Sequence, residues 1–212
     1  MSSRRILMMG LPGAGKGTQA VRLAEELRLP HIATGDMLRQ EVAARSELGK
    51  AAQEYMDAGE YVPDEVVIGM LLERLSRPDA SAGFILDGFP RTLPQVKALH
   101  ERMGNHALDV VLYLEVPEEE IVRRISGRRS CVEGHVYHVE DDPPRQSGVC
   151  DQDGRPLFQR DDDREDVVRN RLRVFREQTE PVVDFYRQRG LLRRVEGLGD
   201  RDRVAKRILE AA

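Results

Sequence analysis

A chain of 212 residues with 33 Lys plus Arg against 37 Asp plus Glu has room for one well-buried core with insertions, but not for two full-sized domains. Its formal charge of −4 argues against a general nucleic-acid binder, although so many cations can still build a local phosphate site. No apolar run is long enough for a membrane span, no signal-like segment precedes the first strand, and Cys131 and Cys150 are too few for a disulfide-stapled scaffold. A soluble, cytoplasmic protein is expected.

The apolar run Ile6-Leu7-Met8-Met9 predicts a buried strand that ends at Gly10. Gly10-Leu11-Pro12-Gly13-Ala14-Gly15-Lys16-Gly17-Thr18 then reads as a phosphate cradle. Its glycines let the backbone curl so that successive N–H groups face inward, and a helix begins near Lys16 with its positive end toward the anion. The general pattern has Ser or Thr directly after the lysine. Here Gly17 stands there and the hydroxyl comes one place later, at Thr18, which suggests a nucleotide kinase whose magnesium is held mainly by phosphates and water.

Ala20, Leu23, Ala24 and Leu27 recur at helical spacing, and residues 31–33 read as a short second strand in which His31 is a surface imidazole. Thr34-Gly35-Asp36 starts another helix. Residues 40–62 are polar and helical, with a break at Ala58-Gly59, and form an insertion between strands. Asp64 is placed to cap a helix whose stripe is Val67, Met70, Leu71 and Leu75. Phe84-Ile85-Leu86 is a continuous apolar strand with Asp87 at its carboxyl end, the edge where open α/β sheets bind ligands.

Residues 108–116 supply a further strand, and Pro117 opens a helix with three glutamates in its first turn. Arg123, Arg124, Arg128 and Arg129 crowd its far end, a density of guanidinium that solubility scarcely requires. Residues 127–163 turn to Gly, Pro, Asp and His, the composition of a loop-rich β insertion with a short strand near 136–139. Arg160 and the acids 161–163 close it; a solvated charge run and a functional role are equally open for those acids. A helix resumes at Val167 and is broken or kinked near Pro181, a last strand spans 191–195, and Asp200 caps a terminal helix.

Four of these segments, in order and at family spacing, resemble the adenylate kinase family, most closely its bacterial long-lid form. They are residues 10–18, Thr34-Gly35-Asp36-Met37-Leu38-Arg39, Asp87-Gly88-Phe89-Pro90-Arg91-Thr92 with Gln95, and Gly127-Arg128-Arg129. The resemblance implies an α/β P-loop three-layer fold with a five-stranded parallel sheet. The core would be 1–32, 63–126 and 164–212, with a nucleoside-monophosphate-binding insertion at 33–62 and a lid at 127–163. It implies reversible, magnesium-dependent phosphoryl transfer from ATP to AMP, giving two ADP.

By motif match, Gly13, Ala14, Gly15, Lys16, Gly17 and Thr18 hold the ATP phosphates, with Arg128 and Arg160 arriving from the lid. Val136, Tyr137 and Gly199 match positions near the ATP base. Thr34, Arg39, Glu60, Tyr61, Val62, Gly88, Phe89, Pro90, Arg91, Gln95, Arg160 and Arg171 match the AMP side. Lys16, Arg91, Arg128, Arg160 and Arg171 are the implied catalytic cations, and Asp87 the acid that orders magnesium waters. Many long-lid relatives hold a structural zinc. Here Cys131, Cys150 and Asp153 match three of its ligands, the second cysteine is missing, and Glu133 or His135 could complete the set; a metal-free hydrogen-bond network is the alternative. No surface apolar stripe requires an oligomer, so a monomer is expected, with no nucleic-acid or membrane partner. A kinase for UMP or CMP, and an ATP-binding regulatory module that transfers nothing, remain as alternatives.

Overall fold

The computed structural model describes residues 4–104 and 106–212; residues 1–3 of the predicted core segment lie outside the described residues. The chain runs β1 (Arg4–Met9), α1 (Lys16–Leu27), β2 (His31–Ala33), α2 (Thr34–Ala43), α3 (Glu47–Ala58), α4 (Asp64–Leu75), β3 (Gly83–Asp87) and α5 (Leu93–Met103). It continues through β4 (Val110–Glu115), α6 (Glu118–Ser126), β5 (Arg128–Ser130), β6 (Val136–His138), α7 (Glu165–Val174), α8 (Glu180–Gln188), β7 (Leu192–Glu196) and α9 (Arg201–Ala211).

Five strands form one parallel sheet in the order β2-β3-β1-β4-β7. A parallel sheet needs helical crossovers, which cover both faces, so its strands are apolar on both sides. The alternation is visible along β1. Leu7 and Met9 join a core with Leu71 of α4, Leu99 of α5 and Tyr186 of α8, while Ile6 and Met8 join the opposite core with Leu23 of α1, Ile121 of α6 and Ile208 of α9. Each such side chain that is fully buried contributes about 1.5–3 kcal/mol of hydrophobic stabilisation.

β1 is flanked by β3 and β4, with Met8 opposite Asp87 in register. From β1 the chain crosses first to the β2–β3 side and then back to β4, so the order reverses at β1. Ligand crevices lie at such switch points, beyond the carboxyl ends of the strands. The phosphate-loop sequence and Asp87 are brought together by this topology.

One local expectation is corrected and two are sharpened. Asp64 does not cap α4: it is the first helical residue, and its carboxylate turns instead to Thr92 and Gln95. Residues 40–62 break at Ala58-Gly59 as expected, where α3 ends and Gly59 turns left-handed, but also break earlier, at Ser46, whose hydroxyl accepts the Gly49 N–H to cap α3. The break or kink expected near Pro181 takes the form of a local widening of the helix. The turn before the proline, Phe175–Thr179, widens to π geometry, and Pro181 then sits in the first turn of α8, where its missing N–H costs nothing. In the 127–163 segment, β5 and β6 form a small antiparallel sheet with Arg129 opposite Tyr137.

Candidate active site

The phosphate loop leaves β1 at Gly10 and enters α1 at Lys16. Gly13 is needed twice over: its φ of +81° lies in the left-handed region, and a Cβ there would stand 2.5 Å from the Ile125 side chain. Lys16 folds back so that its ammonium donates to the Gly10 and Leu11 carbonyls, at 2.9 Å each. Burial pushes its pKa down to about 8; Asp87 works against that shift, while Arg91, Arg171 and Arg128 add to it.

Asp87 stands at the end of β3 beside this loop. Burial pushes its carboxyl up, but the His31 imidazole, Lys16 and Arg91 outweigh burial and hold it below the usual carboxylate range. His31 is therefore not the surface imidazole expected. Its side chain is only 15% exposed and its Nε2 faces Asp87 Oδ2 at 3.7 Å, because β2 lies next to β3 and the two residues share a face. A Cβ at Gly17 would come 3.3 Å from the same Asp87 oxygen, a tight approach that the glycine avoids.

A cavity opens between α2, α3 and the segment after β3. Thr34, Arg39, Gly88, Arg91, Gln95 and Arg171 line it, with the backbone stretch Glu60, Tyr61 and Val62 on the far wall. At Gly88, φ is +81° and a Cβ would meet Thr34 Oγ1 at 2.9 Å and Arg91 Nη2 at 2.7 Å. The left-handed turn thus lets Thr34 donate to the Gly88 carbonyl (2.8 Å) and Arg91 Nε donate to the same oxygen (2.7 Å). Phe89 and Pro90 do not line the cavity: Phe89 is fully buried in the core beneath it.

Thr179, delivered by the π turn, donates from its hydroxyl to the Arg91 carbonyl (2.9 Å) and accepts from Tyr61 (2.7 Å). The Arg91 guanidinium lies 5.0 Å from the centre of the Tyr61 ring.

Two of the three acids after Arg160, Asp162 and Asp163, settle as ion-pair partners. Asp163, whose side chain has no exposed surface, takes a two-point contact from Arg128, and Asp162 accepts from Arg171 at 2.9 Å. Burial alone would lower Arg128, but Asp163 raises it instead. Arg160 donates to Ser130 Oγ (2.9 Å). Burial, with Arg39 and Arg128 nearby, pushes it down to about 10, so it remains charged at neutral pH.

Arg124 was expected only as part of a dense run. It ties three elements together, donating to Glu120 (2.7 Å), to the Ala14 carbonyl in the phosphate loop (3.1 Å) and to the Gly197 carbonyl near Gly199 (3.0 Å). Tyr137 turns its ring into the 127–163 segment, where its hydroxyl accepts from the Asp151 N–H (2.9 Å) and approaches Cys150 Sγ (3.5 Å). In the same segment Cys131, His135, Cys150 and Asp153 each place one ligand atom within 4.8 Å of the others. Glu133 lies apart, paired with Arg155.

Lys16, Arg91, Arg128, Arg160 and Arg171 thus crowd a space in which their mutual repulsion is only partly met by Asp87, Asp162 and Asp163. Such a site is short of anionic charge, and bound phosphates relieve the repulsion.

A parallel sheet with a glycine-rich loop at its switch point, a buried lysine and arginines converging from several segments defines a P-loop nucleotide phosphotransferase. The family model described as adenylate kinase matches residues 8–191. An adenylate kinase of Streptomyces coelicolor is 52% identical over 211 residues, covering 98% of this chain and 97% of its own. One from Archaeoglobus fulgidus is 53% identical over 206 residues, covering 96% and 95%. One from Staphylococcus aureus is 48% identical over 208 residues, covering 97% of each. The chain belongs to the adenylate kinase family.

Proposed function

We propose that this protein transfers the terminal phosphoryl group of magnesium-bound ATP reversibly to AMP, yielding two ADP. The observation that carries the proposal is a cluster of buried cations set between the Gly10–Thr18 loop, which holds Lys16, and a cavity lined by Thr34, Arg39, Arg91 and Gln95 whose wall includes Pro12 of that loop. Transfer between two anions demands positioning and charge neutralisation more than covalent chemistry. On this reading Lys16 and the loop amides hold the donor phosphates, Arg39 and Arg91 grip the acceptor phosphate, and Arg128, Arg160 and Arg171 surround the group in flight. Asp162 and Asp163 hold two of these arginines in place from behind. Each guanidinium can fork two donors onto phosphate oxygens, which lysine cannot do.

Magnesium, when bound with ATP, neutralises phosphate charge. Asp87 fits it as the acid that holds the ion's waters, being ionised, buried and separated from the loop by the Cβ-free face of Gly17. Residues 33–62 are assigned as the AMP-binding insertion, 127–163 as the lid, and the remainder as the core.

A coupled assay across AMP, GMP, UMP and CMP with ATP as donor tests the function. AMP should be the best acceptor; a larger kcat/KM for UMP or CMP would transfer the chain to a sister activity, and no turnover with any would leave a binding module.

The lid cluster supports a structural zinc held by Cys131, His135, Cys150 and Asp153. Sulfur-to-nitrogen separations of 3.3 and 3.4 Å stand close to the edge of about 3.6 Å that a tetrahedral zinc sets between thiolate and imidazole ligands. Such an ion would pin the lid loops and take no part in transfer. Protein purified without chelator should carry about one zinc per chain by elemental analysis, and His135→Ala should lose most of it. Zinc well below one equivalent in the unaltered protein would leave the four side chains as a hydrogen-bond network.

A further inference from the structure

Among the groups lining the acceptor cavity, Gln95 is unusually constrained. Its Oε1 accepts the backbone N–H of Arg91 at 2.8 Å, and its Nε2 donates to Asp64 Oδ1 at 2.7 Å. The other Asp64 oxygen accepts from Thr92 Oγ1 at 2.8 Å, and Thr92 in turn caps α5 by accepting the Gln95 backbone N–H. Neither outer partner can change its role, because a backbone N–H can only donate and an ionised carboxylate can only accept. Turning the Gln95 amide over would set N–H against N–H and oxygen against carboxylate in a site only 2% exposed. The amide therefore has one orientation, with one unused hydrogen on the Asp64 side and one unused lone pair on the Arg91 side.

We infer that Asp64 is a specificity-positioning residue: without lining the cavity itself, it fixes the polarity with which Gln95 meets the acceptor base. The inference rests on the AMP reading of this cavity. A 6-aminopurine offers an N–H and, next to it, a ring nitrogen lone pair; a 6-oxopurine offers a carbonyl and a ring N–H in the same two places. An amide free to turn over reads both. One held by Asp64 and Arg91 matches the first and meets the second with two like groups opposed. The helix-start position of Asp64 hides this role in the sequence, where an acid in the first turn of α4 already has an ordinary explanation.

The test compares kcat/KM for AMP and IMP at saturating ATP in the unaltered protein, in Asp64→Asn and in Gln95→Met. IMP is the chosen probe because it reverses the donor and acceptor without adding the 2-amino group of GMP. In Asp64→Asn the AMP to IMP ratio should fall about tenfold, the worth of roughly one buried hydrogen bond, with the KM for ATP unchanged. AMP and IMP falling by the same factor would show Asp64 to be merely structural and overturn the inference.

Gln95→Met should abolish the preference. A preference that survives it removes Gln95 from base reading and takes the inference with it, whereas an unaltered protein inactive toward AMP defeats the underlying function instead. If Asp64→Asn does not fold, the side-chain amide protons of Gln95 decide the matter in nucleotide-free protein by NMR. Slow exchange supports the lock and free exchange refutes it.

Discussion

Lys16→Met should lower kcat about a thousandfold while leaving the melting temperature unchanged or slightly raised. The loss follows from removing a preorganised cation from the phosphates, a change worth 10²–10³ or more in related sites. The absence of a stability loss follows from the resting structure. The ammonium makes two 2.9 Å bonds, to the Gly10 and Leu11 carbonyls, and the attraction of Asp87 is outweighed by burial together with Arg91, Arg171 and Arg128. Its pKa of about 8 lies below the ordinary 10.5, so between those values the unfolded chain holds more protons than the folded one. Stability from this group therefore rises with pH through that window, and below pH 8 the buried charge is a cost that methionine removes.

The same titration carries a kinetic signature. As pH climbs above about 8 the nucleotide-free protein loses the Lys16 charge, so the KM for ATP should rise in the unaltered protein and stay flat in Lys16→Met. Steady-state kinetics from pH 7 to 9.5, beside thermal melts, check both halves. A large drop in melting temperature would mean that the lysine is a structural strut.

Asp163→Ala should be the reverse case, with stability and activity lost together. Asp163 has no exposed side-chain surface and its carboxylate answers Arg128 at two points, with a further approach of 3.9 Å from Arg171. Removing it leaves a buried guanidinium without its partner, at a cost of about 3–5 kcal/mol. Denaturant unfolding measures the cost. Arg128→Met placed on top of Asp163→Ala should restore much of the stability, because the stranded charge is gone, but none of the activity. If the double variant is no more stable than Asp163→Ala, the ion pair does not carry the stability assigned to it.

Much of the molecule was legible along the chain because it is written in local rules. An apolar run, a glycine-rich turn and a lysine specify a phosphate loop whatever surrounds them, and Phe84 to Asp87 reads as a buried strand ending in an acid. The arginines Arg39, Arg91, Arg128, Arg160 and Arg171 were found by motif, and the fold brings three of them to the cavity lined by Thr34 and Gln95 and the other two close by.

What local rules could not supply was pairing. Asp162 and Asp163 look like a solvated acidic run because neither has helical or strand periodicity; only the approach of Arg171 and Arg128 makes them buried partners. His31 followed a proline and looked exposed until β2 was laid beside β3. Asp64 had a sufficient local reason as an acid at a helix start, and its contact with Gln95 spans 31 positions of sequence. Thr179, at the end of the π turn, meets the Arg91 carbonyl across 88 positions of sequence.

By itself, then, the sequence determined the phosphate loop, which depends on residues adjacent in the chain, while the fold class and the set of cations were legible through the motifs that resemble the family's. The tertiary structure alone decided which acid holds which arginine, which way Gln95 faces and which fourth side chain joins Cys131, Cys150 and Asp153. Those are properties of side chains far apart in sequence, and their energies exist only once burial has removed the water that would otherwise serve as partner.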